Sequence, residues 1–288
     1  VMTVPSEQGS TVPRRRLGRE LRRLREAAHI TIEAATDQLE WSRQKIWRIE
    51  RGEPAMRALD VEAMCKIYGA PKDLTEALKA LAKETKARGW YHAYGDVIPK
   101  WFEIYIDLET TASLQEVYNG ELVDGLLQTR SYIEAILRTS TVHTAADIER
   151  IVEVRIARQS VLGNDGKKFD FILNEAAIRR PVGGPLAIGH QLRQLAAMSE
   201  HSNISIRILP FATGAHGAML GSFRVLDFPA DSEPDTVYIE QLTGALYLDK
   251  AHELEPYRDQ FRNIGNLALD QRKSRDLILA AEKEFCSG

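Results

Sequence analysis

Apolar residues in the first ninety positions recur at steps of three and four, the period of helices that bury one face. Leu17, Leu21, Leu24 and Ala28 make one stripe, predicting a helix over residues 14–28. Thr31 is an N-cap for a second helix, with Ala35 and Leu39 facing inward. Glu40 and Trp41 make a turn. Ser42 caps a third helix running to residue 51, in which Ile46 and Ile49 share a face, and Gly52 stops it. Val61, Met64 and Tyr68 line a fourth helix over 59–68; Gly69 ends it and Pro71 opens a fifth to residue 87.

Beyond residue 87 the pattern changes. Residues 88–100 mix glycine, proline and aromatics and read as a linker that packs. Phe102, Tyr105, Ile106 and Leu108 return to helical spacing, predicting a helix over 101–118. Gly125 marks a turn and Thr129 caps a helix over 132–138; a long helix spans 145–162, where Arg155 and Arg158 read as surface or ion-paired residues. Asn164-Asp165-Gly166 is a turn signal before a strand over 169–173. Glu175 opens a short helix, and another spans 186–201. Ile204, Ile206 and Ile208 alternate in a strand. A glycine-rich loop over 210–221 holds His216, two strands follow at 222–228 and 236–241, and helices over 254–269 and 274–285 close the chain. The expected organisation is multidomain. It comprises a flexible arm (1–13), an all-α five-helix helix-turn-helix domain (14–87), the linker (88–100) and an α+β domain (101–288) with a small, mainly antiparallel sheet.

Composition changes this picture in one respect. The 288 residues are 44% hydrophobic and 27% charged with a net charge of −3, as in an ordinary globular protein. Yet Arg14, Arg15, Arg16, Arg19, Arg22, Arg23 and Arg25 crowd one segment, so that end expects an anionic partner. Cys65 and Cys286 have no metal-ligand spacing and read as reduced thiols. No apolar run approaches the roughly 20 residues that span a bilayer, and no signal-peptide core opens the chain. The expectation is a cytoplasmic protein with no membrane association. Gly183-Gly184-Pro185 lacks the residues of a phosphate-cradling loop, so no cofactor or metal is expected.

The candidate chemistry lies on the third helix. With Ile46 and Ile49 turned inward, Arg43, Gln44, Lys45 and Arg48 occupy the other side, and their forked donors and amide match base edges in a DNA major groove. Arg43, Gln44 and Arg48 are the base readers. Lys45 and the arginine-rich first helix hold phosphates, and Thr31, Ser42 and Trp47 complete the DNA-facing set, Trp47 at the core edge or the interface. Glu50 lies on the inner side and needs a partner, for which Arg25 is the choice. Farther on, Glu175, His190 and His216 are the residue types of acid–base or metal chemistry, but are scattered. Glu175 and His216 stand as possible effector or partner contacts, since the 210–221 loop can close over a ligand.

Residues 14–70 resemble the phage-repressor (Cro/C1, xenobiotic-response-element) helix-turn-helix family. The resemblance rests on Leu24-Arg25-Glu26-Ala27-Ala28, Ala35, Leu39, Ser42, Ile46, Ile49-Glu50-Arg51-Gly52 and Tyr68-Gly69-Ala70. It implies base contacts from Arg43, Gln44 and Arg48 and an internal ion pair between Arg25 and Glu50; Glu40 departs from the glycine usual in that turn. Residues 90–285 resemble the uncharacterised regulatory domain that follows the helix-turn-helix in many actinobacterial regulators. The matching strings include Leu126-Leu127-Gln128-Thr129, Asn174-Glu175-Ala176-Ala177, Leu209-Pro210-Phe211 and Val237-Tyr238-Ile239-Glu240, with Asp124 where relatives carry proline. Many such regulators resemble antitoxin-like proteins encoded beside a small acidic partner protein. The preferred reading is a transcriptional regulator that binds double-stranded DNA at a palindromic operator as a homodimer. Its C-terminal domain would serve dimerisation and the binding of an effector or small acidic partner. The alternatives are an enzyme or toxin activity in the C-terminal domain, with the helix-turn-helix for autoregulation, and a pure protein-interaction module.

Overall fold

Helix caps and apolar stripes set the first five elements. They are α1 (Val12–Ala27), α2 (Ile32–Leu39), α3 (Arg43–Glu50), α4 (Ala58–Ile67) and α5 (Lys72–Glu84). The structure is a computed structural model and describes residues 12–84, 90–140, 144–229 and 233–286. The arm expected over residues 1–13 falls outside it up to residue 11, and Val12 and Pro13 already belong to α1. The expected end of the fifth helix, at residue 87, also lies outside the described residues. Leu17, Leu21, Ala35, Ile46, Ile49, Val61, Met64 and Tyr68 form the buried core of this helical bundle. Ala28 does not complete the stripe: it is exposed. α1 ends one residue earlier, where His29 turns left-handed (φ 54°) and lets the Ile30 N–H donate to the Arg25 carbonyl at 3.1 Å.

The chain divides into two compact units between Ala93 and Tyr94. The second contains α6 (Lys100–Thr111), β1 (Leu114–Asn119), α7 (Arg130–Leu137), α8 (Ala145–Arg158), β2 (Lys168–Asn174), α9 (Ala176–Arg179) and α10 (Gly184–Met198). It continues with β3 (Ile204–Leu209), β4 (Phe223–Asp227), β5 (Thr236–Gln241), β6 (Gly244–Leu248), α11 (Ala251–Leu267) and α12 (Gln271–Cys286). One sheet runs in the order β3-β2-β1-β4-β5-β6. β1, β2 and β3 are parallel, whereas β1–β4, β4–β5 and β5–β6 are antiparallel, so the unit is α+β with a largely antiparallel sheet. Phe169, Phe171, Ile206 and Ile208 point to a core shared with α10 and α12. Ile172, Phe223, Val225 and Val237 point to the other face, covered by Leu254, Phe261 and Ile264 of α11.

One expectation is corrected here, and one strand is added. The helix expected over 101–118 stops at Thr111, and residues 114–119 are the central strand β1. Its buried residues Gln115 and Val117 alternate as a strand requires. Gln115 is polar, however, and is held inside by donating to the Glu109 carbonyl, so hydropathy did not mark the change of period. The sequence pattern does not mark β6, because Leu242-Thr243 joins it to β5 without the glycine- or asparagine-bearing turn that signals a hairpin.

The second unit also buries charge. Arg158 on α8 binds both oxygens of Glu109 on α6 at 2.7 and 2.8 Å. Tyr105 donates to the same carboxylate, and Arg224 on β4 pairs with fully buried Asp124. Arg158 is therefore an interior ion-pair residue, and Arg155 beside it donates to Gln128 Oε1 at 3.1 Å. Among the described residues no helix is long and apolar enough to cross a membrane.

Candidate nucleic-acid interface

α3 is eight residues long, so its placement depends on its ends. Ser42 Oγ accepts the Lys45 N–H at 3.2 Å and closes the first turn. Thr31 does the same for α2, accepting the Ala34 N–H at 3.1 Å. Gly52 turns the chain at φ 69°. A Cβ there would sit 2.5 Å from Arg15 Cα, and one at Gly18 would sit 2.5 Å from the Ile49 carbonyl oxygen. The backbones of α1 and the end of α3 are thus in contact, and glycine is required on both sides. In the sequence Gly52 signals a helix stop, and Gly18 signals nothing, because a glycine inside a helical stripe carries no periodic signal.

Glu50, at the last turn of α3, is buried against Arg25 of α1. The Arg25 Nε and Nη2 groups donate to its two oxygens at 2.6 and 2.8 Å, and Nη1 donates to the Ile30 carbonyl at 2.9 Å. The guanidinium thereby joins α1, the chain leading into α2, and α3.

The turn between α2 and α3 keeps a glycine-like shape without glycine. Glu40 is left-handed at φ 55° and caps α2 by donating its N–H to the Thr36 carbonyl. That conformation costs an L-residue on the order of 1–2 kcal/mol. Glu40→Gly is expected to stabilise the helical bundle by about 1 kcal/mol, net of the extra chain entropy of glycine. Slower hydrogen exchange of the α2 and α3 amides would register it; unchanged or faster exchange would refute the strain.

With Ile46 and Ile49 turned inward, Arg43, Gln44, Lys45, Trp47 and Arg48 are on the outer side of α3. Each cation there meets a local carboxylate or ring. Arg43 lies 3.4 Å from Glu33, and Arg48 Nε donates to Glu53 at 3.0 Å. The Lys45 ammonium sits 3.3 Å above the Trp41 ring and 3.8 Å from Asp60. Exposed pairs of this kind are worth at most about 1 kcal/mol and exchange readily for phosphate or base contacts. Trp47 lies outside the core, 46% exposed, with the Arg51 guanidinium 4.4 Å over its ring. On α1 the arginine run is partly self-paired: Arg22 binds Glu26 at 2.8 Å and Arg23 binds Glu20 at 3.0 Å.

The candidate residues of the second unit have separate neighbours. The Glu175 carboxylate accepts from Arg179 Nε at 3.1 Å and from the Phe211 N–H at 2.9 Å, tying the start of the 210–221 loop to α9. His216 stands edge-on to Tyr118 at 5.9 Å. His190 is exposed on α10, beside Thr129, Arg130 and Arg193. Among the described residues no group of three or more His, Cys, Asp or Glu side chains is placed to hold a metal ion. Cys65 is buried, Cys286 is exposed, and both are free thiols.

Two family models match. One, described as "Domain of unknown function (DUF5753)", covers residues 102–280. The other, described as "Helix-turn-helix domain", covers residues 16–78, which takes in most of α1, all of α2 to α4 and the first half of α5. No curated protein and no solved structure matches the chain. A helix-turn-helix domain is a DNA-binding, regulatory module, and in this chain its helical pair is α2 and α3.

Proposed function

Because the chain belongs to the DUF5753 family and carries a helix-turn-helix domain ahead of that family's domain, we propose that it is a sequence-specific transcriptional regulator. α3 enters the major groove of a palindromic operator, with one copy of the chain on each half-site. Arg43 and Arg48 donate to guanine and Gln44 bonds adenine. Lys45 and the arginines of α1 hold phosphates, and Thr31 and Ser42 present the two helix N-termini to the backbone. Trp47, with Arg51 over it, lies against sugar and phosphate. The helical unit is of the phage-repressor (Cro/C1, xenobiotic-response-element) type and the whole chain of the actinobacterial, antitoxin-like type, working in the cytoplasm. The second unit serves dimerisation and the binding of an effector or a small acidic partner protein. We place that contact at the 210–221 loop, where Phe211, Met219 and Leu220 are exposed, with Glu175 anchoring the loop and His216 within it.

The observation that supports this reading best is the exposed set Arg43, Gln44 and Arg48 on a short helix propped from beneath by Ile46 and Ile49. Its test is selection of a duplex from a random pool, followed by titration. Arg43→Ala and Arg48→Ala are each expected to cost roughly 1–3 kcal/mol at the selected site, about 5- to 150-fold in affinity, and to relax base preference at one position. Binding is expected to weaken steeply between 50 and 200 mM salt, as counterion release dictates at roughly these concentrations. Unchanged binding by both variants, or no selectable duplex, would end this reading.

A further inference from the structure

The last turn of α3 ends in a Schellman cap. The Gly52 N–H donates to the Ile49 carbonyl at 2.9 Å and the Glu53 N–H to the Arg48 carbonyl at 3.0 Å, with Gly52 left-handed at φ 69°. This geometry sets the side chain after the glycine against one in the last helical turn, and an apolar contact usually fills the space. Here the two are Glu53 and Arg48, and the contact is charged: Arg48 Nε donates to Glu53 Oε2 at 3.0 Å. The other carboxylate oxygen lies 3.4 Å from Arg51 Nε, and the Arg51 guanidinium is 4.4 Å over the Trp47 ring. Glu53 is thus fixed through its own backbone N–H and by two cations. The other outward cations of α3 have looser partners. Arg43 lies 3.4 Å from Glu33 and Lys45 3.8 Å from Asp60, with no hydrogen bond in either pair, and Asp60 is itself bound by Arg57 at 2.9 and 3.1 Å.

A carboxylate among the cations of a DNA-facing helix weakens phosphate binding, so its presence there calls for a gain elsewhere. Arg48 supplies one. A guanidinium reads guanine through two parallel N–H groups, one to O6 and one to N7. With Nε held by Glu53, Arg48 need not give up its partner on binding, because Nη1 and Nη2 remain as a fork. Gln44 lies one turn earlier on the same face of α3, so the two side chains address neighbouring base pairs. We propose, resting on the DNA reading above, that Glu53 is a positioning residue for Arg48. It holds Nε so that the Nη1–Nη2 edge meets guanine, and it offsets one positive charge wherever only phosphate is met. Glu53 thereby strengthens binding at the operator and weakens it on other duplexes. Specificity then comes from a repulsive element as well as an attractive one.

The test titrates the full-length chain and its variants against the selected duplex and against an unrelated duplex of the same length. Holding a long side chain in place before binding is worth about 3- to 10-fold in affinity. Glu53→Ala is expected to lose that factor on the selected duplex, and to lose guanine preference at the base pair next to the one that Gln44→Ala relaxes. On the unrelated duplex the same variant is expected to bind at least as tightly as the unaltered chain, with a steeper salt dependence, because a cation is released to phosphate. Its melting temperature is expected to stay close to the unaltered chain's, since the cap bonds are made by backbone N–H groups. Glu53→Gln, which keeps an acceptor for Nε, is expected to retain more of the base preference than Glu53→Ala. Arg48→Ala/Glu53→Ala is expected to show the base preference of Arg48→Ala alone. Parallel losses on both duplexes overturn the proposal, because a residue that merely supports α3 would weaken both. Parallel gains with guanine preference kept overturn it as well, as do a Glu53→Gln chain no more selective than Glu53→Ala and a double variant that loses preference at a further position. Preference lost in Arg48→Ala but kept in Glu53→Ala removes the role of Glu53 and leaves the DNA reading standing. No selectable duplex removes both.

Discussion

Replacing Glu109 with alanine is expected to cost the second unit about 3–5 kcal/mol, the scale found when one partner of a buried ion pair is removed. Glu109 and Arg158 have side chains 1% and 5% exposed, and their bidentate contact joins α6 to α8 across 49 residues of chain. Burial disfavours the charged Arg158, but the charge and hydrogen bonds of Glu109 outweigh it and hold the guanidinium above its ordinary range. Without Glu109 the guanidinium keeps its contacts with the faces of Phe102 and Tyr105, at 4.8 and 5.2 Å, and the charge of Asp124, but no bidentate partner among the described residues, and Tyr105 loses the acceptor of its hydroxyl. The loss should appear as a lower urea midpoint and as faster hydrogen exchange in α6 and α8. The double variant Glu109→Leu/Arg158→Met is expected to recover most of it, because an apolar pair of similar volume avoids the desolvation cost. A Glu109→Ala variant less than 1 kcal/mol below the unaltered chain would show that water reaches Arg158 and that the pair is not interior.

This network marks the limit of what the sequence made legible. Caps and stripes are local, so Thr31, Ser42, Gly52 and the inward pair Ile46 and Ile49 were readable, and the helices they bound are present. Glu109–Arg158 and Asp124–Arg224 join residues 49 and 100 positions apart, and nothing near any of the four marks it as interior. The same distinction separates the strands. β3 announces itself by alternating isoleucines, whereas β1 and β6 are defined by the strands beside them. At the candidate interface the outward side chains of α3 were legible from the period alone. Their counterions were less so: Glu33, Glu53 and Asp60 come from neighbouring segments and are matched to Arg43, Arg48 and Lys45 only once the bundle is folded.

Glu50→Ala is expected to have an effect of the same size on the helical unit, about 3–5 kcal/mol, with a different consequence for DNA. Its carboxylate holds Arg25 through two bonds of 2.6 and 2.8 Å with both side chains under a tenth exposed, and the hydrogen bond to Glu50 raises the Arg25 pKa above its ordinary value. Removing Glu50 leaves a buried cation beside the Ile30 carbonyl, where α1, the start of α2 and the end of α3 meet. Most of the stability of a small bundle then goes, since about 5–15 kcal/mol is all that a typical domain has. The surviving folded fraction still presents Arg43, Gln44 and Arg48 unchanged. Glu50→Ala should therefore lower the concentration of binding-competent protein without altering which bases are preferred, while Arg43→Ala should alter base preference without moving the melting temperature. The double variant Arg25→Met/Glu50→Leu is expected to return stability to within about 1 kcal/mol and to restore binding with the original preference, because a matched apolar pair can stand in for a buried ionic one. Melting curves and active-fraction titrations on the same preparations separate the two effects. A Glu50→Ala chain that melts normally, or one that is folded yet prefers different bases, would place Glu50 in the reading of DNA and not beneath it.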